Sequence, residues 1–415
     1  MFHFNFRLAL LVVLCLVSIT SLSVAQSSTD SEPAVRITLL PYLQNPASDG
    51  MTVCFAAKTA EVTDVEVVLV SKSPSSVSAT RATAVPGTPW SIWKARLKGL
   101  QQGASYKYKV TYAVTMDGKK EKTETPTYSF QTFNPAAPNL CALCIADLHS
   151  NTARLTKLAE YIKPDSYDVS FLIGDNWNDP SGKDGASRVF QCLGDYIRLL
   201  DGSQKPILYL AGNHEHRGSF SSRMAYLFDL PHLDATKATG EQQHQFTLRA
   251  GPVWFLSMDC GEDFNKKMAV FEPYRKLQLE WLKKKLATKA NLTADWRVML
   301  SHIPLYNQNI WSSEPSRKMW EPTLNTAQLD LAMAGHDHGM QFLPAGKTNT
   351  ITYNPKYHTT IPQKKTYSTT PPYPVFIVPQ RGFTLLDATK KKLTIKTFAE
   401  KDGNLIFERT FEKAK

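Results

Sequence analysis

With 415 residues, 42% of them hydrophobic, the chain can bury a full core and is long enough for two or three domains, which excludes disordered and fibrous classes. Its formal net charge of +11 is spread thinly, and no familiar nucleic-acid-binding motif accompanies it. Such a balance either steers anionic ligands or reflects a solvated lysine-rich surface; it does not argue for DNA or RNA.

Arg7 precedes the apolar run 8–17, and Ser23-Val24-Ala25 presents small residues at the spacing a signal peptidase prefers. Residues 1–25 are therefore expected to be a cleaved signal peptide of a secreted or periplasmic protein. The apolar run falls short of the roughly 20 residues that cross a bilayer, so no membrane span is expected after cleavage. Cys54, Cys141, Cys144, Cys192 and Cys260 then remain, an odd number that leaves at least one thiol unpaired within the chain. Cys141 and Cys144 lie on a predicted strand, where a spacing of three points them to opposite faces. No second Cys-x-x-Cys completes a zinc site, so they read as core residues.

Residues 26–33 are polar and read as a tether. Short alternating stretches at 35–43, 51–56, 65–70, 106–114 and 128–133 predict strands, and nothing in this part predicts a helix. Leu97, Leu100, Gly103, Tyr106 and Tyr108 form a pattern in which a turn feeds a strand whose tyrosine braces a sandwich corner. Residues 134–138 read as a linker. Apolar runs then alternate with helical periods. The run 141–146 precedes a helix carrying Leu155, Leu158, Ala159 and Ile162; the run 169–173 precedes one carrying Val189, Leu193, Tyr196, Ile197 and Leu200. Residues 206–211, 251–258, 297–301 and 329–334 predict further strands, 274–286 a helix with Leu277, Trp281 and Leu282 inward, and 383–411 a terminal hairpin around Asp402-Gly403-Asn404. Such alternation signals an α/β domain. The stretch 351–374 resists assignment, and 261–272 and 307–322 read as loops.

Each apolar run in the α/β part ends in polar residues of a particular kind. Asp147 and His149 follow the first, Gly174 and Asp175 the second, Asn213 and His214 the third, His302 the next, and Gly335-His336-Asp337-His338 the last. Residues just beyond strand ends converge on one sheet edge, where open α/β folds carry ligand sites. Of ten histidines, five stand at these positions, too many to dismiss as unrelated loop residues.

From about residue 140 onward these blocks resemble the calcineurin-like metallophosphoesterases. Residues 41–46, Pro-Tyr-Leu-Gln-Asn-Pro, resemble the start of a purple acid phosphatase N-terminal domain, itself similar to a fibronectin type III domain. The resemblance implies an all-β sandwich over 34–133 followed at 139–415 by an α/β domain of two β-sheets flanked by helices. It further implies that Asp147, His149, Asp175 and His338 hold one metal and Asp175, Asn213, His302 and His336 a second, with Asp175 bridging. Asn213 and His214 would serve catalysis, His214 beside the leaving group. One departure is visible: purple acid phosphatases place a tyrosine three residues after the bridging aspartate, where this chain has Asn178, followed by Asp179.

The chemistry suits these residue types. Two ligand carboxylates facing two divalent ions leave a surplus of positive charge that attracts phosphate, and paired metals about 3.5 to 4 Å apart acidify a shared water. His214 can protonate the leaving oxygen. Glu215 either orients a ligand or sits on the surface at a helix start; Arg217 either meets a phosphate oxygen or is a solvated side chain. Trp177 and Trp320 line a cleft or, as the better reading, pack in the interior; His216, His232, His244 and His358 read as structural. The expected function is hydrolysis of a small phosphorylated substrate with two metal ions drawn from Fe, Mn, Zn or Mg, acting on phosphate monoesters. A phosphodiesterase, a nucleotide or pyrophosphate hydrolase, and a non-catalytic binding protein are the alternatives. Metal identity and oligomeric state are not legible.

Overall fold

Alternation of apolar residues decides which faces of the central strands meet. In the strand Asn139–Ile145, Ala142 and Cys144 point one way and Leu143 and Ile145 the other, and all four are buried, so the sheet is covered on both faces. The computed structural model describes residues 37–413 apart from 59–61, 72–74, 79, 86, 117, 182–184, 231–243, 264–268, 308–309 and 354–364. The leader expected at 1–25, and His232 and His358, lie outside the described residues.

Two six-stranded sheets form the centre. The first runs in the order Ile207–Leu210, Val169–Ile173, Asn139–Ile145, Gly382–Thr389, Lys392–Ala399, Leu405–Glu412. Its first three strands are parallel, and the last three form an antiparallel meander, one strand more than the hairpin expected. The second runs Phe246–Ala250, Val253–Ser257, Trp296–Ser301, Leu331–Ala334, Val375–Ile377, Gln341–Leu343, parallel across its four middle strands. The sheets face one another across an apolar layer in which Phe171 stacks on Phe246 and packs 4.7 Å from Phe255, centroid to centroid. Helices Thr152–Ala159 and Gly185–Leu199 cover the outer face of the first sheet, and Glu272–Leu286 and Ile310–Leu324 that of the second. Parallel strands buried on both faces read as the unbroken apolar runs seen in the sequence.

The N-terminal part is all-β among the described residues: one sheet ordered Ile37–Gln44, Gly50–Lys58, Trp90–Lys98, Thr80–Ala84, and one of five strands built around Val62–Leu69 and Ser105–Met116. The corner pattern takes the expected form, with the Gln101 amide donating to Tyr106 Oη at 2.7 Å. This part packs on the rest through Leu39 and Tyr42, which join the core of helix Gly185–Leu199, and through Tyr108 Oη, which donates to the Ser203 carbonyl at 2.7 Å.

Further sequence expectations need correction. Strands Trp90–Lys98 and Lys119–Glu124 were not anticipated; the latter is almost wholly polar and exposed, so it carries no alternation. The strand expected at 251–258 is present as Val253–Ser257, and a further strand, Phe246–Ala250, precedes it across a tight turn. Leu277 is 44% exposed; the inward face of its helix is Tyr274, Gln278, Trp281 and Leu282, because the Gln278 amide bonds the Asp259 backbone in both directions. The loop expected at 307–322 is mostly the helix Ile310–Leu324, hidden by Pro315 and Pro322 inside it and by the buried serines Ser312, Ser313 and Ser316. Within 351–374 the described strands Asn349–Tyr353 and Lys365–Thr369 pair antiparallel.

Candidate metal centre

The carboxyl ends of the parallel strands from both sheets open onto one place, and every ligand type singled out in the sequence arrives there. Asp147, His149 and His338 bring one potential ligand atom each to within 4.8 Å of one another, and Asp175, His302 and His336 do the same. Asp175 belongs also to a third group with His149 and His214. Its Oδ2 lies 3.1 Å from His302 Nε2, 3.9 Å from His149 Nε2 and 3.8 Å from His214 Nε2. Asn213 Oδ1 reaches His336 Nδ1 at 3.0 Å.

The donor set fits metal ions. Burial holds His149 down to about 4 and His336 down to about 3, so both imidazoles are neutral at ordinary pH. His149 Nε2 sits 3.1 Å from His338 Nε2, whose ring is also depressed by burial, so two neutral rings turn nitrogen atoms to one point. His302 pairs Nδ1 with the Ile173 carbonyl at 2.9 Å, which aims Nε2 inward. That buried Nε2 finds no well-aligned hydrogen bond. Burial and the neighbouring Asp175 push the Asp147 carboxyl up, although the His302 ring pulls against them. For Asp175 burial acts upward too, but the imidazoles of His302 and His214 hold it below the ordinary range.

Backbone geometry shows how tightly the edge is drawn in. Among the described residues eleven non-glycine positions have positive φ, and Asp147, His149, Ser150, Asp175, Asp179, His336 and His338 are seven of them. Strain gathered at one place marks a site the surrounding structure is built to impose. Glycines make the approach possible. A Cβ on Gly174, which has φ +72°, would stand 2.4 Å from His302 Nδ1, and one on Gly212 would stand 2.2 Å from Asp175 Oδ1.

Glu215 is buried, not a surface residue at a helix start. It accepts four backbone amides: Asp175 at 2.9 Å and Gly212 at 2.7 Å on Oε2, Asn176 at 2.7 Å and Trp177 at 3.0 Å on Oε1. Burial and the charge of Asp175 push its carboxyl up to about 7, while the Trp177 and Gly212 amides work in the opposite direction. One side chain thus ties the loop after Val169–Ile173 to the loop after Ile207–Leu210.

His214 stands at the open side. Its amide donates to Asp175 Oδ1 at 2.9 Å, and Nδ1 meets Asp179 Oδ1 at 2.7 Å, leaving Nε2 toward the centre. Arg217 is largely buried, with Nη1 3.3 Å from His214 Nε2. Asn178 is exposed and donates its amide to Ser150 Oγ. Trp177 and Trp320 are buried packing residues. His216 pairs with Asp259, Nε2 lying 3.0 Å from each carboxylate oxygen, and His244 packs beside it. The sequence reading passed over Asp259, Glu262 and Asp263, which surround His216 and Arg217. Asp259 follows the strand Val253–Ser257 as the other polar residues follow theirs, so the same rule, applied once more, would have found it.

Residues 142–340 match the family model of calcineurin-like phosphoesterases. The mouse tartrate-resistant acid phosphatase type 5 is 26% identical over 218 residues, covering 46% of this chain and 61% of that protein. Purple acid phosphatase 22 of Arabidopsis thaliana is 26% identical over 232 residues, covering 52% of this chain and 48% of that protein. The chain thus spans about half to three fifths of the length of these relatives. Among solved structures, purple acid phosphatase PPD1 from yellow lupin seeds superposes with TM-score 0.64 at 16% identity over 90% of this chain and 74% of that one. PhoD superposes with TM-score 0.62 at 11% identity over 91% of this chain and 89% of that one. At such identities the two structures establish a shared α/β fold of several sheets and few helices.

Proposed function

From a chain whose residues 142–340 are a calcineurin-like phosphoesterase domain, we propose a dinuclear metal-dependent phosphomonoesterase. The observation that carries this is the place of Asp175, whose carboxylate lies within reach of histidines from both ligand groups. Asp147, His149, Asp175 and His338 would hold one ion and Asp175, Asn213, His302 and His336 the other, their identities drawn from Fe, Mn, Zn or Mg. When bound, two such ions supply an acidified water and positive charge against the phosphoryl oxygens. The protein's own groups do the rest. Asp179 orients the His214 ring through Nδ1, so that Nε2 can hand a proton to the leaving oxygen. Arg217 Nη1, beside that nitrogen, can donate to a phosphoryl oxygen. Glu215 holds Asp175 and Asn213 in register by their loop backbones.

Preference for monoesters is supported by the acid phosphatases among the relatives. The same reading includes a fibronectin type III-like sandwich over 34–133, the phosphoesterase domain over 139–415, and export directed by residues 1–25; no described helix is long and apolar enough to cross a membrane. The test is metal analysis of the mature chain with turnover of a monoester, a diester and pyrophosphate, for wild type and Asp175→Ala. Asp175→Ala should lose metal and activity together. A variant with two bound metals and near-normal turnover would refute the bridging assignment.

A further inference from the structure

Beyond the strand Val253–Ser257 the chain carries two acids, Glu262 and Asp263, that the chemistry above leaves without a role. Glu262 is 1% exposed and grips one side of the Arg217 fork: Nε donates to Oε1 at 3.1 Å and to Oε2 at 2.9 Å, and Nη2 to Oε1 at 2.7 Å. Asp263 Oδ1 takes a further bond from Nη2, while its Oδ2 lies 4.0 Å from His336 Nε2. The opposite side of the fork, Nη1, faces His214 Nε2 at 3.3 Å. Planar bidentate pairing of this kind sets direction as well as distance.

We infer that Glu262 is a positioning residue for the phosphate ester: by gripping the Nε and Nη2 side of Arg217 it fixes Nη1 and His214 Nε2 on a common point, and Asp263 ties the same guanidinium to the His336 side of the centre. The inference rests on the phosphoesterase reading and says how that site is kept aimed. It opposes simple charge counting. Glu262 and Asp263 on one side, and Asp179 Oδ1 at 3.9 Å from Nη1 on the other, more than offset the single guanidinium charge, so the arginine offers a directed donor and little positive field. Removing one carboxylate makes the surroundings more positive and, on charge alone, should tighten anion binding. Loss of aim should weaken it.

The sign of the change is therefore the test. Inorganic phosphate is titrated calorimetrically into the metal-loaded chain, and KM and kcat are measured with 4-nitrophenyl phosphate, for wild type, Glu262→Gln, Arg217→Ala and the double variant. Glu262→Gln should weaken phosphate binding on the order of tenfold, as loss of an aligned charge-assisted hydrogen bond does, and raise KM more than it lowers kcat. The double variant should bind no worse than Arg217→Ala. Unchanged or tighter binding in a fully metallated Glu262→Gln, or a loss that adds to that of Arg217→Ala, overturns the inference. Should the glutamine variant fail to fold, Glu262→Asp keeps the charge and shortens the arm; it should also weaken phosphate, and wild-type binding by it overturns the clamp. Phosphate binding is read without turnover, so a wild-type chain that hydrolyses no ester sinks the phosphatase reading alone. One that binds metal but no phosphate overturns the clamp as well.

Discussion

Gly212→Ala isolates the fit of the two metal-bearing loops. Gly212 does not have positive φ, so alanine brings no backbone penalty, and its whole effect is the added methyl. That methyl would stand 2.2 Å from Asp175 Oδ1, 2.4 Å from the Asp175 amide nitrogen and 2.8 Å from His302 Cδ2. Ordinary carbon contacts begin near about 3.5 Å, so the overlap with Asp175 exceeds about 1 Å. The carboxylate could swing aside, but the amide nitrogen is backbone and cannot. Relief must come from parting the 174–177 and 211–215 loops, which stretches the bonds to Glu215 and moves Asp175 relative to His302. Overpacking of this kind costs about 1–3 kcal/mol, or a few degrees in Tm for a chain of this size. Displacement of about 1 Å in a reacting group costs on the order of 10²-fold in rate. The assay is metal content, Tm and kcat/KM on a phosphate monoester, with Gly339→Ala as control, since a Cβ there meets nothing nearer than the Asp337 carbonyl at 3.8 Å. Gly212→Ala with two metals and unchanged kcat/KM would show that the crowding at Asp175 has no catalytic consequence.

Three other outcomes are expected. His214→Ala should keep both metals yet lose on the order of 10²- to 10⁴-fold on esters with alkyl-alcohol leaving groups and less on aryl phosphates; equal losses across leaving groups would remove it as the proton donor. Asn178 stands where the purple enzymes carry their tyrosine, so the iron-loaded chain should show no tyrosinate band in its visible spectrum, and a strong purple absorption would place another tyrosine on the metal. Burial lowers the His216 pKa, but Asp259 more than reverses this, so His216 is raised and Asp259, despite its own burial, is lowered. The raised His216 lends stability that is full below its unfolded value near about 6.5 and fades as pH climbs through its folded value; that from the lowered Asp259 is full above about 3.9 and fades in acid. Melting temperatures should therefore fall on the alkaline side in the wild type, and His216→Gln should remove that part of the fall; parallel wild-type and variant curves would refute the pairing.

What was legible in the sequence was whatever sat directly behind an apolar run. Asp147, Asp175, Asn213, His302, His336 and His338 each follow a buried strand, and a parallel sheet delivers such residues to one edge without further information. Partners chosen by long-range packing were not legible. Glu262 meets Arg217 across 45 residues, through a loop whose composition says nothing about where it lies, and although Asp259 stands behind its own strand, its pairing with His216 across 43 residues is set by packing. Asp179 was noticed, but its bond to His214 depends on a positive φ that spacing does not announce. Helix Ile310–Leu324, which also carries Pro315 and Pro322, and the outward Leu277 share one reason for being hard to read: on the outer face of the second sheet, serine and glutamine take inward places that a hydrophobic period assigns to leucine.

The four amides gathered by Glu215 bear on what sets the spacing of the centre. Through them the loops that carry Asp175 and Asn213 are fastened to each other by a side chain that belongs to neither ligand group, so their separation does not rest on the ligands alone. A brace of this kind sits behind the ligands, on the side away from the half-exposed His338, and holds one loop to the other as a rivet holds two plates.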